Sequence, residues 1–352
     1  MVTSFYNLNE QPFGVTPDPR YLFLGASHRE ALASIQYGVT AGRGFTALIA
    51  HPGMGKTTLL FEFLSKLHSS CRSVFLFQSQ STPGELLQSL LADLEILDDC
   101  KDITGMQRQL NRYLIRESRQ GRRLIIVIDE AQNLDDGVLE AVRMLSNFET
   151  PREKLLHVVL AGQPALADRL QAPRLVQLRQ RISIVASLRA FSPKETREYI
   201  KHRLKVAGYD CPKPLFTEQA LALIARHAEG IPRNINNICF NAMSLGCATK
   251  ENIIDVVAVQ EVLDDLDLAG LFSKSAGGYR FEKSKALFPN NKVKEDVVDP
   301  LVVQKAADDV EMGSLSSEFP ASQACAVPAV SVSGFSLSYS VASKMARARS
   351  WF

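Results

Sequence analysis

Short apolar runs alternate with stretches in which apolar residues recur every three or four positions. Residues 45–50 (F-T-A-L-I-A) form one such run and predict a buried strand. A turn holding Gly53 and Gly55 follows, and Leu59, Leu60, Phe63, Leu64 and Leu67 then mark one face of a helix. The runs at 73–78, 124–128 and 158–161 predict three more strands, and 182–188 a fifth. Between them, capping boxes at Ser27/Glu30, Thr82/Glu85 and Thr104/Gln107 predict helix starts, and Val138, Leu139, Val142 and Leu145 mark another helix. Strands alternating with helices predict a parallel α/β sheet covered on both faces.

From Ser192 the pattern is helical only. Ser192 and Glu195 cap one helix, Thr217 starts a second, Pro232 a third, and Val259, Val262 and Leu266 lie on a fourth. Residues 1–27 are irregular, with Pro12, Pro17 and Pro19 fixing extended or turn geometry. After about residue 269 periodicity fades into Ser, Gly, Pro and Ala. The expected organisation is therefore an N-terminal segment (1–27), an α/β domain (28–190), a small helical domain (191–268) and a disordered, low-complexity tail (269–352).

Composition narrows this only a little. A formal net charge of +2 neither requires nor excludes a polyanionic partner, so local clusters must decide. The six cysteines are scattered without a C-x-x-C pair, which favours reduced thiols and a cytoplasmic location. No basic-then-apolar leader opens the chain, and no unbroken run of about 18 apolar residues predicts a membrane span. The six histidines show no paired metal-ligand spacing.

The chemistry concentrates after the first strand. Strand, glycine turn, Gly-Lys-Thr and helix are the context of a phosphate-binding loop, covering Ala50, His51, Pro52, Gly53, Met54, Gly55, Lys56, Thr57 and Thr58. The glycines let backbone N–H groups approach phosphate oxygens, and a helix N-terminus adds its dipole. Lys56 would reach the β- and γ-phosphates, and Thr57 would hold Mg²⁺. Ala50 stands where such loops usually begin with Gly, which is tolerable if φ there is negative.

In a parallel sheet all strands end on one edge. Asp129 closes the third strand and would meet Mg²⁺ opposite Thr57, and Glu130 would polarise a water aimed at the γ-phosphate. Gln163 ends a neighbouring strand and could orient that water. Arg179 and Arg181 precede the fifth strand, where a guanidinium could reach a neighbouring subunit's nucleotide or simply flank the strand in solvent. Arg233, opening a helix of the second domain, could fold back on the γ-phosphate. Arg108, Arg112, Arg116 and Arg119 recur on one helix face, followed by Arg122 and Arg123, and could track a nucleic-acid backbone or be a solvated face.

The set of residues 50–57, Asp129-Glu130, Gly162-Gln163-Pro164, Gln180-Arg181-Ile182 and Gly230-Ile231-Pro232-Arg233 resembles the AAA+ ATPases. It is similar to the ExeA/GspA type of general secretion and pilus-associated ATPases, related to TniB/TnsC transposition ATPases and origin-recognition AAA+ domains. Residues 9–13, 16–19 and 27–32 resemble the start of that secretion family. The resemblance implies a P-loop NTPase domain with a helical lid. It implies Walker A and B roles for Lys56, Thr57, Asp129 and Glu130, sensor 1 for Gln163, arginine finger for Arg181, sensor 2 for Arg233, and an N-terminal segment near the adenine. It further implies ATP and Mg²⁺ as ligands, ATP hydrolysis, and a homo-oligomeric ring or filament serving a secretion or pilus-assembly component. Two other outcomes stay open: a DNA-binding AAA+ regulator of the transposition kind, and a non-hydrolysing, ATP-gated scaffold.

Overall fold

All neighbouring strands run in the same direction, which fixes where a ligand site can form. The computed structural model describes residues 1–67, 70–77, 82–96, 102–151 and 153–268. Among the described residues β1 (Phe45–Ile49), β2 (Cys71–Leu76), β3 (Arg123–Ile128), β4 (Leu156–Gly162) and β5 (Ile182–Ser187) form one sheet. Their order is β2-β3-β4-β1-β5, and each adjacent pair is parallel. The strand exits after Ile49, Ile128 and Gly162 therefore share one edge.

Side chains alternate across the sheet as the strand period requires. On β3, Leu124, Ile126 and Ile128 join one core, and Ile125 and Val127 the other. After the short α1 (Val2–Phe5), α2 (Ala26–Thr40) and α3 (Lys56–Ser65) supply the core holding Ile125 and Val127. The opposite core takes residues from α4 (Pro83–Asp93), α5 (Ile103–Arg119), α6 (Asp136–Leu145), α7 (Pro164–Leu170) and α8 (Val176–Arg181). Each such buried Leu or Ile contributes about 1.5–3 kcal/mol relative to exposure.

Four more helices follow the sheet: α9 (Pro193–Val206), α10 (Glu218–His227), α11 (Pro232–Thr249) and α12 (Val256–Leu268). They pack around Ile200, Leu221, Ile224, Ile238 and Val259. The N-terminal residues are stitched onto them. Asn9 N–H donates to Ala207 O at 2.9 Å, Tyr6 Oη donates to Glu251 O at 3.2 Å, and Phe13 meets Phe216 edge-on at 6.3 Å. All described residues belong to one compact unit.

Several local expectations need correction. Ser27 and Glu30 do not cap α2, whose N-cap is Gly25. Ser27 is buried and exchanges hydrogen bonds with the Arg189 backbone, while Ala26 N–H is taken by Glu195 Oε1 of α9 at 2.8 Å. Asp102, not Thr104, caps α5, accepting from Gly105 N–H at 2.9 Å. The second strand begins at Cys71 rather than 73, and α7 and α8 lie between β4 and β5, where no helix was expected. Thr82 accepts from Glu85 N–H, and Ser192 with Glu195 forms the complete reciprocal box. The tail at 269–352, with Cys325, lies outside the described residues, as does Cys100.

One polar pair sits inside the sheet. Thr46 Oγ1 and His157 Nε2 are 3.0 Å apart on adjacent strands, both buried, beneath Gly38 of α2. A Cβ on Gly38 would lie 2.7 Å from Thr46 Oγ1, so only glycine lets the helix approach. Burial pushes the His157 pKa down to about 4. The unfolded imidazole titrates near ~6.5 and binds a proton first, so stability falls as pH drops from about 6.5 to about 4. The loss from this residue is on the order of 3 kcal/mol. Denaturant titrations across that range should show a shallower fall for His157→Gln than for wild type; equal slopes would exclude the residue as a source.

Candidate functional site

The loop between β1 and α3 turns on two glycines in the left-handed region, Gly53 (φ 78°) and Gly55 (φ 82°). A Cβ on Gly53 would come within 2.8 Å of Arg233 Cβ, so the loop meets the first turn of α11 directly. Arg233 N–H donates to Gly53 O at 3.2 Å. Ala50 is buried, is not among the positive-φ residues, and hydrogen-bonds to Gly162 O of β4 at 3.0 Å. An L-residue is therefore unstrained where the usual pattern has Gly.

Lys56 opens α3 and is almost fully enclosed, its side chain 8% exposed. Its Nζ lies 3.1 Å from Asp129 Oδ1 and 2.7 Å from Glu130 Oε1. Thr57 Oγ1 donates to Asp129 Oδ2 at 2.6 Å. Glu130 takes a left-handed backbone (φ 52°), uncommon for a residue with a side chain, and its N–H donates to Asp129 Oδ1 at 2.8 Å. Gln163 Nε2 donates to Glu130 Oε2 at 3.2 Å. Burial by itself pushes the Glu130 pKa up. Hydrogen bonds from Lys56, Gln132 and Gln163, with the Lys56 charge, outweigh it and hold the carboxyl below the usual glutamate range.

These groups open on a cavity of about 280 Å³ between the sheet edge and the helices. The phosphate loop, Glu130 and Gln163 form one wall, Pro232 and Arg233 another, and residues 14–18 and 21–23 a third. Arg181 is not in this wall. It precedes β5, at the end of the sheet opposite the strand exits, and is exposed. Thr58 lines the cavity, as do His51, Pro52 and Met54. Among the described residues no cluster of three or more His, Cys, Asp and Glu forms a separate metal centre.

Several cavity residues were not foreseen. Arg203 of α9 is buried, donates to Pro12 O and Tyr199 Oη, and lies 4.7 Å from the centre of the Tyr21 ring. Tyr199 Oη donates to Asn236 Oδ1 at 2.9 Å. The four-residue spacing of Tyr199 and Arg203 was visible, but the facing Tyr21 comes from the far end of the chain. His28 of α2 stacks on Phe191 at 5.0 Å. Burial lowers its pKa, so the ring is neutral and Nε2–H donates to Met54 O at 3.0 Å. Glu195 joins the two layers: Oε1 accepts from Ala26 N–H, and Oε2 from Ser192 N–H and Oγ, both at 2.9 Å. Those backbone hydrogen bonds hold its pKa low.

A glycine-turn loop leading into a helix, an Asp-Glu pair at the exit of β3 and a following layer of helices are the features of a P-loop NTPase fold of the AAA+ class. Residues 39–170 match the family model described as an AAA domain, and the fold is that of the AAA+ P-loop NTPases. Over 244 residues, 69% of this chain, it is 38% identical to general secretion pathway protein A of Aeromonas hydrophila, covering 44% of that protein. Over 173 residues, 48% of this chain, it is 31% identical to a cell division control protein 6 homolog of rice (Oryza sativa subsp. japonica), covering 32% of it. The chain thus spans less than half the length of either relative. The solved ORC2 protein of Aeropyrum pernix shares the fold at a TM-score of 0.56 and 16% identity, over 73% of this chain and 71% of that one.

Proposed function

We propose that the chain binds MgATP in the cavity under the lid, hydrolyses it, and does so as a homo-oligomeric ring or filament. The observation that carries this reading is the contiguous cluster Lys56–Asp129–Glu130–Thr57, with contacts between 2.6 and 3.1 Å, at the carboxyl edge of a parallel sheet. A hydroxyl beside a carboxylate is the oxygen donor set Mg²⁺ prefers, so Thr57 and Asp129 fit the ion, which when bound would neutralise phosphate charge. The Gly53 and Gly55 turns and the α3 N-terminus fit the phosphates.

Lys56 is shared between roles. Its ammonium binds Glu130 where phosphate oxygens would otherwise claim it, so triphosphate entry competes for Lys56 and frees Glu130 Oε1 as a general base. Gln163 shares the other carboxylate oxygen, and Arg233 faces the cavity from the lid. Arg181 lies away from its own cavity, so its use as a finger requires a second subunit.

Service to a secretion or pilus-assembly component follows the likeness to the Aeromonas protein and is part of this proposal. A cytoplasmic location accords with the free thiols of Cys71, Cys211, Cys239 and Cys247. No helix among the described residues is long and apolar enough to cross a membrane.

A second reading, DNA binding, is favoured by α5. Arg108, Arg112, Arg116 and Arg119 are all exposed on it, and among the described residues none pairs with a carboxylate. Glu117 turns inward to Arg122 at 2.6 Å instead. If this face tracks a phosphate backbone, changing Arg108 and Arg112 to Ala should weaken DNA binding and flatten its salt dependence by about 2 in log-log slope. An unchanged slope in gel-shift assays across salt concentrations removes the reading.

Glu130→Gln should retain MgATP affinity in calorimetry and lose turnover by roughly 10²–10⁴-fold. Unchanged turnover would take Glu130 out of the mechanism. Wild type that binds without turning over would leave nucleotide as a lock on an assembly, the scaffold alternative. Arg181→Ala should lose activity by itself yet regain it when mixed with Lys56→Ala subunits, which bring the missing guanidinium to its intact site. No recovery in mixtures that co-assemble would deny a trans role.

A further inference from the structure

Gln132 occupies the 3-10 turn (Ala131–Asn133) just after the Asp129–Glu130 pair. Its side-chain Nε2 donates to Glu130 Oε2 at 2.5 Å, and its Oε1 accepts from Gln163 N–H at 3.0 Å. Its backbone carbonyl accepts from Arg169 of α7 at 2.6 Å. Arg169 also holds Asp136 Oδ1 at 2.7 Å, and Arg174 holds Asp136 Oδ2 at 2.7 Å. The amide is thus gripped at both ends, and its main chain is tied to an ion-pair cluster whose outer member, Arg174, is 69% exposed. The seat is cut to fit: a Cβ on Gly162 would lie 2.9 Å from Gln132 Oε1 and 2.7 Å from Leu166.

We propose that Gln132 is a positioning residue that assigns separate tasks to the two oxygens of Glu130. Gln132 and Gln163 both hold Oε2, while among the described residues Oε1 is held by Lys56 alone. When phosphate claims Lys56, Oε1 is released and Oε2 stays clamped, so the carboxylate remains aimed while one oxygen becomes basic. Oε1 is then the atom that takes the proton from the attacking water, and Oε2 is the anchor. The Asp136–Arg169–Arg174 cluster fixes the turn from which Gln132 reaches, so the clamp's stiffness is set partly at the surface. This inference deepens the ATPase reading and rests on it.

The test is steady-state hydrolysis by Gln132→Ala and the near-isosteric Gln132→Glu, with MgATP affinity measured separately by calorimetry. Gln132→Ala should lower kcat by about 10- to 100-fold, the range for loss of a partner that orients a reacting group. The MgATP dissociation constant should stay within about twofold, since uniform binding is untouched. Gln132→Glu keeps the length of the side chain but sets a carboxylate where Glu130 Oε2 had a donor, so it should not restore the lost kcat. Unchanged kcat in Gln132→Ala, recovery of kcat in Gln132→Glu, or equal losses in kcat and affinity would each overturn the proposal. Absence of turnover in wild type would instead remove the ATPase reading, and this inference with it.

Discussion

A single ammonium between two carboxylates organises the edge of this sheet. Lys56 is nearly sealed from solvent, and an isolated charge in that position would be costly. Asp129, equally buried, and Glu130, 40% exposed, balance it. Removing one partner of the buried Lys56–Asp129 pair leaves uncompensated charge, typically about 3–5 kcal/mol. The phosphate loop, the end of β3 and the start of α3 are thus held in mutual register by electrostatics as well as packing.

That arrangement depends on strand direction. With β1, β3 and β4 parallel and adjacent, the exits after Ile49, Ile128 and Gly162 arrive side by side. The aliphatic runs of β3 and β4 are buried on both faces, so neither strand can slip by one residue without turning its core faces over. Register in the core therefore carries through to the placement of Asp129, Glu130 and Gln163. Precision at the site comes from the hydrophobic layers beneath it.

How much of this could be read from the chain varies with the range of the interaction. The five strands were legible because each is a short apolar run closed by turn residues, and the lid because its helices carry local caps such as Ser192 with Glu195. The phosphate loop and Asp129-Glu130 were legible for the same reason: their chemistry is written in consecutive residues. Some failures were shifts of a residue or two, as where Asp102 rather than Thr104 caps α5; the larger ones came where a local cue lost to a distant partner. Ser27 resembles a cap, yet Ala26 is served by Glu195, 169 positions away. Tyr21 meets Arg203 only because the N-terminal segment is laced across α9, and nothing near either residue announces it. Gln132 was passed over because a glutamine after an acidic pair has no meaning until Gly162 and Gln163 are set beside it.

Glu195 bears on how the lid can move. One carboxylate terminates the first turn of α2 in the sheet layer and the first turn of α9 above it. Each such cap is worth on the order of 1 kcal/mol. Moving α9 away from α2 would carry Glu195 with it and leave the Ala26 N–H without its acceptor. The carboxylate is in effect a latch across the two layers, and in this structure it is fastened.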